Sequence, residues 1–505
     1  MPKTLADWLI YLESLHPKTI ALGLERVAQV KQRLNLNPDF TIITVGGTNG
    51  KGSVCAMLES ILHAAGYRVG CYTSPHLLHY NERVRIAKKQ ASDAELCAAF
   101  EKVEEARCGG VGRASAREGD VGMNPDLPIP LTYFEFGTLA AMQCFIEHKV
   151  DIAILEVGLG GRLDAVNAFD SDCAVVASVD IDHTDYLGET REQIAFEKAG
   201  IFRGGKVAIC ADVDVPQAVA EHAKKIGAQL WCIGSEFGFT PHQGQWDYRS
   251  LIGARNALPY PALCGAFQLN NASAALAALD ALKGKLPVSM EAVRRGLVEV
   301  QLAGRFQFVP GKPQLILDVA HNPHAARSLA QNLASLPPCA HTFAVFAMLK
   351  DKDIAGVAAA LDPHIDTWLV AGIDAPRGAT ADELAQVLQS AGVRGNIQTF
   401  ENVAAALLHA CDAAGESGGC DTLLAKPADC GSSRQAALPA PEGFASPSQG
   451  GGCDTLLRSS RLREQPPDTL SRARRLRAPC RECRIAVFGS FYTVAEAMAA
   501  KGLKF

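Results

Sequence analysis

The residues richest in chemistry lie in one stretch, Thr41-Ile42-Ile43-Thr44-Val45-Gly46-Gly47-Thr48-Asn49-Gly50-Lys51-Gly52-Ser53. A β-branched apolar run ends in glycines, and Val54, Met57, Leu58, Ile61 and Leu62 follow at helical spacing. Strand, loop and helix in that order make a phosphate-binding loop. Glycines let backbone N–H groups crowd round a polyphosphate, and the helix start adds unpaired N–H groups and a positive dipole end. Lys51 offers a mobile charge for β- and γ-phosphates, and Ser53 is placed for a magnesium ion. The stretch departs from the common pattern, because Val45 stands where that pattern has its first Gly and Gly52 separates Lys51 from the hydroxyl. On this motif alone, a nucleotide site and an ordinary strand–turn–helix with a solvated lysine are equally good readings.

Three further polar clusters fall at the predicted C-terminal ends of strands, where open α/β sheets place their ligands. They are Thr73-Ser74-Pro75-His76-Leu77, Glu156 ahead of Gly158-Leu159-Gly160-Gly161, and Asp180-Ile181-Asp182-His183-Thr184-Asp185. Each has a plain explanation: Ser74 as a turn cap, Glu156 paired with a basic residue, His183 as a loop histidine. Together a hydroxyl, a carboxylate and an imidazole complete the shell of Mg2+ or Mn2+ beside a nucleotide. Glu156 ends an apolar strand, where an unpaired charge is costly and a metal ion would remove the cost.

The elements that must carry these groups alternate as strand and helix. Residues 3–35 read as helical, with one apolar face at Leu5, Trp8, Leu9 and Leu12, a break at His16-Pro17-Lys18, and a second face at Leu22, Leu24, Val27 and Val30. Strands are predicted at 68–72, 151–157, 174–179, 207–209 and 229–232, and helices at 91–105, 131–148 and 268–282. Residues 107–130 read as a Gly/Pro-rich surface loop, and the aromatics among glycines at 234–264 as a small antiparallel patch. A second α/β unit begins near Arg305, with strands at 315–318, 342–346, 368–370, 397–400 and 485–488. The expected class is α/β, with two domains, 1–300 and 304–505, each built on a parallel sheet flanked by helices. Residues 415–483 stand apart as a low-complexity, mobile insertion that repeats Gly-Gly-Cys-Asp-Thr-Leu-Leu at 418–424 and 451–457. Cys480 and Cys483 have the spacing of a zinc or redox pair, with Cys420, Cys430 and Cys453 upstream. Irregular spacing and arginine-rich surroundings argue against a metal there.

At 505 residues the chain exceeds one core and suggests two or three domains. A net charge of −5 gives no reason to expect a nucleic-acid surface. No apolar run is long enough to span a bilayer, and the N-terminus has no signal-peptide core, so the expected address is cytoplasmic. Most of the sixteen cysteines sit singly in apolar runs, as small buried hydrophobes do. Nothing specifies a protein partner, and the expectation is a monomer.

Taken in order, Gly47-Thr48-Asn49-Gly50-Lys51-Gly52-Ser53, Ser74-Pro75-His76-Leu77, Glu156 to Asp164, Asp182-His183, Glu197-Lys198-Ala199-Gly200-Ile201 and Asp318-Val319-Ala320-His321-Asn322-Pro323 resemble the folylpolyglutamate synthase family of the Mur ligase superfamily. Within it the chain is most similar to the bacterial bifunctional form that also carries dihydrofolate synthase activity. The resemblance spans nearly the whole chain except 107–130 and 415–483, and in this family the departures at Val45 and Gly52 are the usual form. It implies a P-loop-type ATPase domain followed by a smaller Rossmann-like α/β domain, with the active site in the cleft between them. It further implies ATP-dependent ligation of L-glutamate to dihydropteroate and folates through an acyl phosphate. An amine does not displace oxide from a carboxylate, so the acid must first gain a leaving group.

By this resemblance Thr48, Asn49, Gly50, Lys51, Gly52 and Ser53 hold the nucleotide, joined by Asn271, Arg305 and Asp318. Lys51, Lys198, Asp318 and His321 form the catalytic set. Ser74, Glu156 and His183 match ligands of one or two Mg2+ ions, with Mn2+ as an alternative, and Lys198 matches a lysine that carries a carbamate. Leu22, Gly23, Thr132, Tyr133, Phe134, Glu135, Leu163, Asp164 and Ala165 mark the pterin side. Ser490 matches a residue near the cleft. Ala21 stands where related bifunctional enzymes often have Asp. Rival readings are folylpolyglutamate synthase activity alone, another Mur-type amino-acid ligase, and a nucleotide-binding regulator.

Overall fold

The structure, a computed structural model, describes residues 2–17, 20–109, 128–375, 377–415 and 483–503. The first sheet contains β1 (Thr41–Gly46), β2 (Val69–Tyr72), β3 (Val84–Ile86), β4 (Lys89–Gln90), β5 (Ile152–Glu156), β6 (Cys173–Val176), β7 (Val207–Cys210) and β8 (Gln229–Cys232), in the spatial order β4-β3-β2-β5-β1-β6-β7-β8. From β2 to β8 every neighbouring pair is parallel. β1 lies in the interior between β5 and β6, and its apolar run Ile42 to Val45 is buried on both faces. Phe136, Leu139, Met142 and Phe145 of the helix Tyr133–Glu147 pack on one face of the sheet. Val54, Met57, Leu58 and Ile61 of the helix Lys51–Ala64 pack on the other.

A three-stranded antiparallel sheet follows, β9 (Phe237–His242), β10 (Gln245–Ser250) and β11 (Gly253–Leu258). Asp280 of the helix Gln268–Ala281 anchors it by accepting from Tyr248 Oη (3.1 Å), Ser250 Oγ (2.6 Å) and the Arg255 guanidinium. The second large sheet comprises β12 (Gln307–Val309), β13 (Gln314–Leu317), β14 (His341–Phe346), β15 (Thr367–Ala371), β16 (Asn396–Phe400) and β17 (Cys483–Phe488). Its order is β12-β13-β17-β14-β15-β16, parallel except for β12. The last strand in sequence is therefore interior, wedged between β13 and β14.

The architecture is the expected α/β one, with local differences. Both large sheets carry short antiparallel edges, β3–β4 and β12, that the sequence reading passed over. These segments are two or three residues long, with Arg85, Lys89 and Gln90 among them, too short for an apolar alternation to stand out. The second N-terminal helix is Glu25–Arg33, so Leu22 and Leu24 lie ahead of it rather than on its apolar face. Gly23 at φ 139° cannot continue a helix. Most of the loop expected at 107–130, and all but the end residues of the insertion expected at 415–483, with its repeat, Cys420, Cys430, Cys453 and Cys480, lie outside the described residues. Among the described residues no helix is long and apolar enough to cross a membrane.

Candidate active site

β1 delivers the phosphate loop to the C-terminal edge of the first sheet. Gly47 (φ 143°) and Gly50 (φ 86°) take backbone angles that side chains resist. A Cβ on Gly50 would lie 2.6 Å from Asn271 Oδ1, so the loop needs glycine there to pack against the helix Gln268–Ala281. Lys51 Nζ folds back over the loop and donates to the carbonyls of Gly47 (3.0 Å) and Thr48 (3.2 Å). The segment after β6 staples the loop from the other side. Thr48 Oγ1 donates to Asp180 O and accepts from Asp180 N, both at 3.0 Å, and Ser178 Oγ accepts from Asn49 N at 3.0 Å. Ser53 is buried in the first turn of the helix, with Gln268 Nε2 3.5 Å from its Oγ.

Glu156 ends β5 beside Val45 of β1, and its Oε2 accepts from the Ser74 N–H at 3.1 Å. Ser74 lies just past β2, which pairs with β5, so strand pairing alone brings Ser74 and Glu156 together. Burial pushes the Glu156 carboxyl up, and Lys51 works against that shift. Among the described residues Glu156 has no ion-pair partner. His183 sits in the left-handed region (φ 54°), its N–H donating to Asp182 Oδ1 at 2.8 Å. Burial depresses its imidazole to about 4, although Asp182 pulls the other way. It is therefore neutral at physiological pH and has a lone pair to give. Oxygens of Ser74 and Glu156 with a neutral imidazole suit Mg2+ or Mn2+. Among the described residues no three His, Cys, Asp or Glu side chains stand together as a metal-holding group.

Lys198 is 4% exposed on the helix Arg191–Ala199, and burial followed by repulsion from Lys51 lowers its ammonium to about 7. The Lys51 charge acts on Glu156, His183 and Lys198 alike. A Cβ on Gly52 would lie 3.9 Å from Glu156 Oε1, so the carboxylate borders the first turn of the phosphate-loop helix.

The second sheet supplies its groups from the same kind of edge. Asp318 follows β13, and its carboxylate accepts from the N–H groups of Phe306 and Ala320, each at 2.8 Å. Burial raises that carboxyl while Arg305 opposes the rise. The Arg305 guanidinium lies 5.1 Å over the Phe491 ring and faces the first turn of the phosphate-loop helix. His321 Nδ1 lies 2.8 Å from Val319 O, so it carries the proton and leaves Nε2 as acceptor; burial depresses this imidazole to about 4. Ser490 caps the helix Phe491–Ala500, its Oγ accepting from Thr493 N at 3.0 Å.

Several residues that join the two units escaped the sequence reading. Lys352 Nζ donates to Asp182 Oδ1 at 2.8 Å and lies 3.4 Å from His183 Nε2. Asn322 Nδ2 donates to Asp182 Oδ2 at 3.0 Å. Asn49 Nδ2 contacts His324 Nδ1 at 2.8 Å and Asn322 Oδ1 at 3.3 Å, so this loop side chain is engaged across the interface. Arg327 reaches Asp180 at 2.9 Å. In the sequence Lys350-Asp351-Lys352-Asp353 looks like a solvated charge run, and no local signal marks Lys352.

The residues expected on the pterin side come together in smaller groups. Gly23 N donates to Leu163 O at 3.3 Å, which joins Leu22-Gly23 to Leu163-Asp164-Ala165. Phe134 packs on Gly158, where a Cβ would lie 2.8 Å from its Cζ, and its ring centre is 5.7 Å from that of Tyr72. Tyr133 meets the Tyr80 ring edge-on at 5.9 Å beneath the Arg83 guanidinium. Thr132 and Glu135 form a reciprocal helix cap, and Glu135 also pairs with Arg26 at 2.8 Å, so their polar atoms serve the fold. Arg26 in turn donates to Ala21 O at 2.7 Å. Burial lifts the Asp164 carboxyl to about 7, against the N–H groups of Leu159 and Val166 that its oxygens accept.

Comparison with known proteins agrees with this geometry. Residues 131–279 match the Mur ligase middle domain, and residues 304–428 the glutamate ligase domain of Mur ligases. A dihydrofolate synthase/folylpolyglutamate synthase of Escherichia coli K12 is 46% identical over 403 residues, covering 80% of this chain and 88% of that protein. The fold is similar to that of Escherichia coli FolC in complex with DHPP and ADP, with a TM-score of 0.77, 39% identity, and coverage of 98% of this chain and 97% of that one. It is similar also to a bifunctional folylpolyglutamate synthase/dihydrofolate synthase with Mn, AMPPNP and L-glutamate bound, at a TM-score of 0.75, 41% identity, and 99% and 98% coverage. A phosphate loop and a second α/β unit joined to it through Asp182–Lys352 and Asn49–His324 are thus combined in a chain that belongs to the dihydrofolate synthase/folylpolyglutamate synthase family of ATP-dependent, Mur-type ligases.

Proposed function

We propose that the protein joins L-glutamate to dihydropteroate and to tetrahydrofolates, consuming ATP, with residues 1–300 holding the nucleotide's phosphates and 304–505 completing the site. The observation that carries this reading is that Glu156, which holds the Ser74 N–H, and Arg305 of the second unit both border the first turn of the phosphate-loop helix, each 3.9 Å from where a Cβ on Gly52 would lie. In this reading Gly47, Thr48, Asn49, Gly50, Gly52 and Ser53 present their backbone to the polyphosphate. Lys51 exchanges its two carbonyl partners for phosphate oxygens. Asn271, Arg305 and Asp318 hold the rest of the nucleotide, and His321 lies beside Phe491 in the same wall. Ser74, Glu156 and His183 would hold a divalent cation, which when bound neutralises charge between triphosphate and carboxylate. The pterin acid lies against Phe134 and Tyr133, between Leu22-Gly23 and Leu163-Asp164-Ala165, and the joining contacts of the two units exclude water from the acyl phosphate.

Lys198 suits a carbamate, because an amine held at about 7 is about half unprotonated at neutral pH and only that form adds CO2. Carbamylation would convert a buried cation into an anion facing Lys51. The reading includes a cytoplasmic monomer, for which light scattering should give the mass of one chain.

The test is phosphate release from ATP with dihydropteroate and with tetrahydrofolate as separate acceptors. Release that requires both an acceptor and L-glutamate is the expected result; release independent of either overturns the reading. Turnover with tetrahydrofolate alone would assign the single-activity alternative and point to Ala21, whose carbonyl, not its side chain, is engaged by Arg26.

A further inference from the structure

Arg85, on the antiparallel edge strand β3, ties together three parts of the first unit that the sequence keeps apart. Its Nε donates to both oxygens of Glu59 (3.1 and 3.0 Å), and its Nη2 donates to Glu59 Oε2 at 2.9 Å. Nη1 donates to Thr73 Oγ1 at 3.1 Å and to Glu82 O at 2.8 Å, and Nη2 also reaches Cys71 Sγ at 3.3 Å. Glu59, 5% exposed, lies on the helix Lys51–Ala64, about two turns beyond the phosphate loop. Thr73 immediately precedes Ser74, whose N–H is held by Glu156. The Glu82 carboxylate accepts from the N–H groups of Leu77, Leu78 and His79, each at 2.7 Å, and so closes the 73–82 segment on itself.

A buried ion pair is a poor way to add stability, since apolar side chains of like volume would hold helix and sheet together as well. What the pair has and an apolar contact lacks is direction. A planar guanidinium bound along its edge fixes distance and orientation at once. Here it fixes the helix that carries Ser53 against the strand end that carries Ser74. Glu59 also keeps the guanidinium charged against the pull of burial.

We propose that the Glu59–Arg85 pair positions the divalent-cation site, by setting the spacing between the phosphate-loop helix and the end of β2. This rests on the reading of Ser74 and Glu156 as cation ligands. Both members act through other residues and are positioning residues.

The experiment measures Mn2+ binding to the full-length protein by electron paramagnetic resonance, with a non-hydrolysable ATP analogue present, beside thermal melts and Mg2+ titrations of turnover. The double substitution Glu59→Leu with Arg85→Met removes both charges and keeps apolar volume. Its expected melting temperature is close to that of the unmodified protein, while Mn2+ affinity falls by about 10-fold or more and high Mg2+ restores turnover. Arg85→Lys keeps the charge and loses the fork to Thr73 and Glu82; a smaller fall of the same sign is expected, and this variant carries the test if the double one does not fold. Unchanged Mn2+ affinity in a folded variant overturns the proposal. Absence of Mn2+ binding in the unmodified protein would instead refute the ligand reading beneath it.

Discussion

Lys352 of the second unit donates to Asp182 of the first at 2.8 Å, and both side chains are about nine-tenths buried (9% and 11% exposed). Burial alone would raise the Asp182 carboxyl, but His183 and Lys352 outweigh it and hold the group well below the usual carboxylate range. The contribution of this pair is therefore complete above the ordinary carboxylate pKa and is lost only as pH falls through the depressed value. Lys352→Met leaves a buried carboxylate without its cation and is expected to cost roughly 3 kcal/mol in denaturant melts. Adding Asp182→Asn should recover most of that stability. An unchanged midpoint in the single variant would show that the pair holds nothing together.

Lys51→Ala removes two hydrogen bonds to carbonyls of its own loop, and the charge that opposes the upward shift of the Glu156 carboxyl. Its expected effect on the melting temperature is small. Turnover should fall by about 10²-fold or more, as when one donor to a developing charge is lost. Phosphate release measures this, and retained turnover would remove Lys51 from the site.

Gly50→Ala meets two obstacles, a left-handed φ of 86° and an approach of 2.6 Å to Asn271 Oδ1. Backbone strain alone costs about 1–2 kcal/mol. The loop must shift away from Asn271, so ADP affinity measured by calorimetry is expected to fall more than global stability does. Equal ADP affinity would show that the loop backbone does not carry the phosphates.

Lys198 gives a pH test with a definite sign. Its folded value near 7 lies below the ordinary lysine value, so folding releases a proton between the two. The stability penalty of burying it is full below about 7 and fades as pH rises toward the unfolded value. Carbamate content should rise over the same lower limb, because the free amine is the reactive form. A carbamate carbon signal with labelled bicarbonate, growing with pH and absent in Lys198→Ala, is the expected result. No such signal at any pH would leave Lys198 a plain buried amine.

What could be read from the chain alone was local or strung along strand ends. The apolar run into Gly47, Gly50 and Lys51 specifies strand, loop and helix, because backbone freedom and helical spacing act over a few residues. Ser74 and Glu156 could be placed together for a related reason: one follows β2, the other ends β5, and parallel pairing of these strands presents both at one edge. The Thr132–Glu135 spacing carried a capping signal too, yet its partner Arg26 lies 109 residues away and only the fold shows that the pair is spent on structure.

Tertiary structure alone decided the long-range pairings. Lys352 and Asp182 are 170 residues apart, and Asn49 and His324 are 275 apart. A charge in a run of charges looks solvated until a particular carboxylate is brought against it, and no local spacing encodes that choice. The same holds for β17, last in sequence yet interior in its sheet, and for Arg85, whose edge strand is three residues long, too short to be read from its pattern. Residue spacing records what a segment does to itself; which distant charge it meets depends on how the sheets stack and on the desolvation that follows.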